Sequence, residues 1–223
     1  MIKKVILFTV YLFSTLLSQA QTSFEGYVVY KIEPKNPNKQ QISDSVFYTR
    51  IKKLMNGQLY SLQKYFYKGD TYKSEVGEET RKTFQVFKPK EKKLYTWQQN
   101  ADTAVWVSSE QYSDKIKEVK QLEGEEDVLG IKCKKIVIIS TLGETCYWYH
   151  PNKFKIDYET FKTHIYGNWS EYLKIAKALP LKYEIKSKIF HIVTTGIEVK
   201  ELKINDSEFD LPLFKKVIQS PTN

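Results

Sequence analysis

The sequence is poor in the residues and motifs that carry most enzyme chemistry. It has three histidines and nine glycines among 223 residues. A Gly-x-Ser-x-Gly elbow, which would hold a strained nucleophile, is missing. The two common Gly-rich phosphate-binding loops are missing as well. The sequence therefore names no reaction, and we predict no catalytic residue and no cofactor.

Metal-ligating patterns are equally scarce. Structural zinc sites use closely spaced cysteine pairs, whereas the only two cysteines, Cys133 and Cys146, lie far apart in the chain. Cys146 and His150 would point the same way on a strand, with Cys133 and His164 as further ligands. This set lacks the usual spacing, so no metal site is predicted.

The carboxylates show no catalytic arrangement either. A glycosidase needs a pair of acids across the scissile bond. Glu75, Glu78, Glu79 and Asp102 are available, but their spacing selects no pair. A hydrolase that acts on glycans is therefore kept only as an alternative function, ranked behind the two that are given at the end of this subsection.

Long apolar runs are confined to the start of the chain. Lys3 and Lys4 precede an apolar run from Val5 to Leu17, and the small residues of Ser18-Gln19-Ala20 follow. This order is typical of a secretory signal peptide over residues 1–20. We expect an exported protein, in the periplasm, associated with the outer membrane or extracellular, with no transmembrane segment after signal removal.

The charge is basic without a nucleic-acid motif. The net charge is +9, and the basic residues are spread along the chain, with no arginine-rich groove of the kind that predicts nucleic-acid binding. Two interpretations stay open: a solvated basic surface, or attraction to anionic lipid head groups or acidic glycans.

The two cysteines fit an oxidising compartment. A bridge between Cys133 and Cys146 would close a loop of about 14 residues and contribute roughly 3 kcal/mol. The alternative is two buried thiols that pack as small apolar residues.

The apolar pattern mostly alternates and predicts strands. Gly69-Asp70 reads as a tight turn between strands over 60–68 and 71–76, and further strands are predicted throughout the rest of the chain. Helices are predicted over Ser43–Met55 and Ser170–Leu179. Residues 114–127 read as a connecting segment with an acidic loop, and residues 213–223 as a loose tail. Residues 21–212 then form a single mainly β (α+β) domain, a curved antiparallel sheet with one or two short helices on one face.

Aromatic residues are the one abundant class. The chain holds 16 tyrosines, 12 phenylalanines and 4 tryptophans. Aromatics favour strands, so a large β core explains them. An apolar cavity or a stacking platform is the other explanation.

Four short stretches resemble a family of exported Bacteroidetes proteins of unknown function whose fold is similar to the periplasmic lipoprotein carrier (LolA-like). They are 24–30 (FEGYVVY), the hairpins 67–75 and 86–95, the segment 129–135 (LGIKCKK) with 146–149 (CYWY), and 179–181 (LPL) with 209–212 (FDLP). The third stretch is also similar to the GLPGLI family, although the GLPGLI signature itself is missing.

The resemblance implies an incomplete β-barrel whose opening is covered by the two predicted helices. An acyl chain could bind there by burial alone. The residues expected in the wall are Val28, Tyr30, Trp97, Trp148, Tyr183 and Ile185. The function so implied is a non-enzymatic binding or carrier protein for a lipid or another apolar ligand. An envelope module that binds a protein partner and has no ligand cavity is the first alternative.

Overall fold

A computed structural model describes residues 23–55, 57–79 and 81–221 of the chain. The predicted signal peptide, residues 1–20, lies outside the described residues. In the part that is described, twelve strands form one open sheet, and few residues are helical. The protein is therefore mainly β, as the sequence predicts.

The strands follow the chain in short antiparallel steps. They are β1 (Gly26–Lys35), β2 (Ser61–Lys68), β3 (Thr71–Glu78), β4 (Arg81–Lys88), β5 (Lys93–Gln98), β6 (Thr103–Ser108), β7 (Ile116–Val128), β8 (Ile131–Ser140), β9 (Glu144–Tyr149), β10 (Pro180–Lys186), β11 (His191–Glu201) and β12 (Lys216–Gln219). Their order across the sheet is β12-β6-β5-β4-β3-β2-β1-β11-β10-β9-β8-β7. Every neighbouring pair is antiparallel except β6 and β12.

Three α-helices accompany the sheet in the described residues: α1 (Asp44–Leu54), α2 (Tyr158–Phe161) and α3 (Trp169–Ala176). Helix α1 begins after Ser43, whose side chain accepts a hydrogen bond from the Val46 N–H. Such a cap satisfies one of the unpaired donors of the first turn. The bounds of α1 and α3 lie close to the two helices predicted from the sequence.

The sheet has a helical face and an outer face, because successive side chains of a strand point to opposite sides. On the helical face, Val28 and Tyr30 of β1 pack with Tyr172 and Leu173 of α3, and all four are essentially inaccessible to solvent. Helix α1 is different, because none of its residues is buried. The expectation that both helices cover the sheet therefore holds for α3 and not for α1.

Two segments that the sequence predicts as irregular form strands. Residues 114–127 lie largely in β7, a 13-residue strand at one edge of the sheet. Most of its residues are exposed, so it shows no clear apolar alternation, and charged side chains are common on edge strands. Gly124, expected as a turn point, adopts a positive φ of 86° where the register of β7 against β8 shifts.

The tail after Pro212, predicted to be loose, contains β12 at the opposite edge. The chain leading to β12 packs Ile204 and Phe209 against Val86 and Trp97 on the outer face. Ile204 and Phe209 are too widely spaced to form a periodic pattern. For this reason the sequence did not predict that the C-terminal segment packs on the sheet.

Candidate functional site

A cavity of about 230 Å3 lies between the helical face and the segment that carries α2 and α3. Six of its thirteen lining residues are strand tyrosines: Tyr30, Tyr65, Tyr67, Tyr72, Tyr147 and Tyr183. The covering segment adds His164, Tyr166, Gly167 and Trp169, and Gln85, Pro180 and Ile185 complete the lining.

The tyrosines converge because they point to the same face of the sheet from β1, β2, β3, β9 and β10. Tyr65 and Tyr67 of β2 share one face, with ring centroids 5.8 Å apart. Tyr30 of β1 contacts Tyr65 on one side and Tyr183 of β10 on the other, each at 5.9 Å between centroids. Tyr72 contacts Tyr67 at the same separation. Such edge-to-face and offset contacts are favourable for aromatic pairs.

Several tyrosine hydroxyls are satisfied by protein groups. Tyr30 Oη donates to the Pro180 carbonyl oxygen at 2.5 Å, and Tyr72 Oη is hydrogen-bonded to His164 Nε2 at 2.9 Å. Burial raises the pKa of Tyr30, Tyr72 and Tyr183 above that of a free tyrosine, so all three are neutral at pH 7. The cavity therefore presents aromatic surfaces more than free polar groups.

His164 is the one imidazole in the lining. It is 2% exposed and lies against Phe87, with 4.5 Å between the ring centroids. Burial lowers its pKa to about 4, so the ring is neutral at pH 7. Within the described residues its Nδ1 has no hydrogen-bond partner, and neither does Trp169 Nε1, although both atoms are shielded from solvent.

The lining holds no lysine, arginine, aspartate or glutamate. The carboxylates considered as a glycosidase pair lie elsewhere. Glu75 forms ion pairs with Lys73 and Lys82, and its strand neighbour Ser74 faces the opposite side of the sheet. Across the described residues, no group of three or more His, Cys, Asp or Glu side chains is placed to hold a metal ion.

The sequence-predicted wall residues divide between the two faces. Tyr30, Tyr183 and Ile185 line the cavity, and Val28 is buried beside it in the same core. Trp97 and Trp148 lie on the outer face. Each tryptophan belongs to the alternate set of its strand, as Trp148 does between Tyr147 and Tyr149, so both point away from the cavity.

Cys133 and Cys146 are free and buried on the outer face. They lie on adjacent strands, but Cys146 pairs with Val137. Cys133 is thus four residues away from the position opposite Cys146, or about 13 Å along the strand. This separation exceeds what a disulfide can span. The structure has the buried-thiol alternative, and burial raises the pKa of both thiols to about 11.

Sequence reasoning missed much of the lining. Tyr65, Tyr67, Tyr72, Tyr147, His164 and Trp169 were not predicted as wall residues. A usable signal was the pattern aromatic-x-aromatic in Tyr65-Phe66-Tyr67 and Tyr147-Trp148-Tyr149, which places two tyrosines on one face of a strand. His164 was considered only as a metal ligand, and nothing in its irregular stretch of sequence placed it in a cavity wall.

Comparisons with known proteins give little guidance. No family model matches the chain, and no curated protein matches it. Among solved structures, it is similar to an uncharacterized conserved protein from Thermus thermophilus, with a TM-score of 0.46 and 10% identity over 88% of this chain and 91% of that one.

Two crystal forms of PNGF-II are also similar, each with a TM-score of 0.47. Identity is 12% and 13%, over 89% of this chain but only 32% and 31% of PNGF-II. In the described residues, no helix is long and apolar enough to cross a bilayer.

Proposed function

We propose that this protein is an exported, non-enzymatic binding or carrier protein whose ligand places an uncharged apolar group in the tyrosine-lined cavity. The observation that carries the proposal is a cavity between the sheet and the segment with α2 and α3, whose wall is largely aromatic and free of charged side chains. An apolar group gains about 0.8 kcal/mol for each CH2 that it buries there.

The cavity volume limits the ligand. A cavity of about 150 Å3 lined by apolar side chains is large enough to bind benzene, and this one measures about 230 Å3. Sites for drug-sized molecules start at about 300 Å3. The structure as it stands therefore suits an aromatic ring or a short acyl segment, and a longer chain must leave part of its length outside.

The chemistry of the lining supports binding over catalysis. A general acid or base works best with a pKa near the operating pH, whereas the pKa of His164 is about 4. An anionic head group would find no cation in the lining. We further propose that the open sheet with helices on one face is the incomplete barrel implied by the LolA-like resemblance.

A cavity-blocking variant tests this function. The neutral fluorophore N-phenyl-1-naphthylamine should bind the wild-type protein, with a rise in fluorescence that dodecanol reverses. Ile185→Trp places a large ring at the edge of the cavity, and we expect at least tenfold weaker binding of the fluorophore. Fluorescence titrations of the wild type and the variant give the two dissociation constants to be compared.

Ile197→Trp is the matched control, because Ile197 is exposed and does not line the cavity. It should bind like the wild type. If the wild-type protein takes up no fluorophore, or if both variants bind as well as it does, the cavity is not the binding site and the proposal fails.

A further inference from the structure

Large exposed apolar side chains concentrate at one end of the sheet. Three connections meet at this end, because Ile32 of β1 pairs with Ser61, Lys35 with His191, and Lys186 of β10 with Glu144. The large apolar side chains on these connections that are at least 40% exposed, which we call the apolar rim, are Val46, Leu54, Tyr60, Leu142, Ile189 and Phe190. Ile189 is 83% exposed and Leu54 is 79% exposed.

Helix α1 lies in the connection between β1 and β2, at this end of the sheet. It carries Val46, Phe47, Ile51 and Leu54, yet the fold buries none of its residues. A short helix with unburied apolar side chains and basic neighbours is typical of segments that lie in a lipid interface. Helices of this length need packing to be stable, so contact with a second surface would stabilise α1.

The charge around the apolar rim is basic. From Lys35 to Leu54 the chain has five lysines or arginines and a single aspartate, a net charge of +4. Lys39 pairs with Asp44, whereas Arg50, Lys52 and Lys53 have no ion-pair partner in the part of the chain that the structure describes. Glu78 and Glu79 lie near Leu54 across a surface groove and offset part of this charge.

The β10–β11 turn also has a basic residue beside exposed apolar side chains. Lys188 precedes the exposed Ile189 and Phe190. Anionic lipid head groups attract lysines and arginines that lie near the membrane surface. The apolar side chains beside them can enter the boundary between head groups and acyl chains.

The cavity reaches the same end of the sheet. Ile185, part of its lining, pairs with Ile192 and Thr145 and is one residue from the last residue of β10. A ligand leaving the cavity past Ile185 would thus emerge beside the apolar rim.

We propose that the apolar rim docks on an anionic lipid surface, with Leu54, Ile189 and Phe190 in the interface and Arg50, Lys52, Lys53 and Lys188 at the head groups. Docking requires no ligand in the cavity. It would let an apolar group pass between the bilayer and the cavity with little exposure to water.

Vesicle flotation tests the docking. The wild-type protein and the cavity-blocked variant Ile185→Trp should both float with vesicles of 70% phosphatidylcholine and 30% phosphatidylglycerol. Both should float much less with vesicles of pure phosphatidylcholine. The triple variant Arg50→Glu/Lys52→Glu/Lys53→Glu should partition at least about tenfold more weakly. Ile189→Asp should also weaken binding, because it puts a charge where an apolar side chain inserts.

The controls lie at the opposite end of the sheet. The triple variant Lys90→Glu/Lys132→Glu/Lys153→Glu changes the net charge equally, and Leu129→Asp adds a charge at an exposed leucine; both should float like the wild type. Equal losses in the two triple variants, or no binding to anionic vesicles, would overturn the proposal. So would a dimer that Ile189→Asp dissociates without any vesicle binding, because the rim would then belong to a second copy. Loss of docking leaves fluorophore binding untouched, so the two proposals fail separately.

Discussion

Helices α1 and α3 are both predicted from amphipathic patterns, although α3 is the more apolar of the two, and their surroundings in the structure are opposite. Four of the eight residues of α3 are buried, and Tyr172 and Leu173 are fully enclosed. None of the eleven residues of α1 is buried. An amphipathic pattern therefore predicts a helix but not what its apolar side contacts. Here α3 covers a core and encloses a cavity, and α1 leaves its apolar residues for a surface outside the chain.

The largest expected effect is on stability: a mutation in α3 should lower the free energy of unfolding far more than one in α1. Tyr172 donates a hydrogen bond to the Ala178 carbonyl oxygen at 2.9 Å and lies 4.3 Å from the Tyr147 ring, centroid to centroid. Tyr172→Ala should lower the free energy of unfolding by about 3–5 kcal/mol. Val46→Ala in α1 should change it by less than about 0.5 kcal/mol. Urea unfolding followed by tryptophan fluorescence measures both, and equal losses would contradict the assignment of α3 as a packed cover and of α1 as an unpacked helix.

His164, just before α3, makes the covered region sensitive to acid. Its folded-state pKa of about 4 lies below the ordinary value of 6.5, so between these pH values the unfolded chain binds the proton more readily. Stability should be intact above pH 6.5 and fall by up to about 3 kcal/mol as the pH drops towards 4.

His164→Phe keeps an aromatic ring and removes the titration. It should be less stable at pH 7, because it leaves the buried Tyr72 hydroxyl without its partner. Its stability should nevertheless change less than that of the wild type between pH 7 and pH 4.5. Thermal melts of both proteins at the two pH values measure this. If the variant loses as much stability as the wild type between pH 7 and pH 4.5, His164 is not the group responsible.

The smallest effect concerns the cap of α1. Ser43→Ala removes the acceptor for the Val46 N–H and should destabilise this helix by about 1 kcal/mol. Because α1 is not part of the core, the global unfolding free energy should hardly change. Amide hydrogen exchange should speed up in residues 46–54 alone. Faster exchange throughout the sheet would show that α1 is coupled to the core after all.

Local signals in the sequence were enough for most of the sheet. Gly69-Asp70 marks the β2–β3 turn because Gly69 needs a positive φ, here 56°. The strand Thr103–Ser108 follows from its apolar and β-branched residues. Strand β7 was missed because an edge strand is selected for charge more than for alternation.

The site was less accessible to prediction. Tyr30 and Tyr183 could be placed on one face by alternation, but the choice between faces for Trp97 and Trp148 depends on register across several strands. The register between β1 and β11 also shifts, because Val29 pairs with Glu198 and Tyr30 with Gly196. Shifts of one residue exchange the two faces.

The most direct test of the account is to locate an apolar probe in the cavity. Crystals soaked in 1-bromooctane should show an anomalous bromine peak between the helical face and α3, within contact distance of Tyr147, Tyr183 or Ile185. The peak should be missing from crystals of Ile185→Trp treated in the same way. A cavity that stays empty in both, or a peak only in the surface groove beside Leu54, would contradict the claim that this protein holds its ligand inside the tyrosine-lined core.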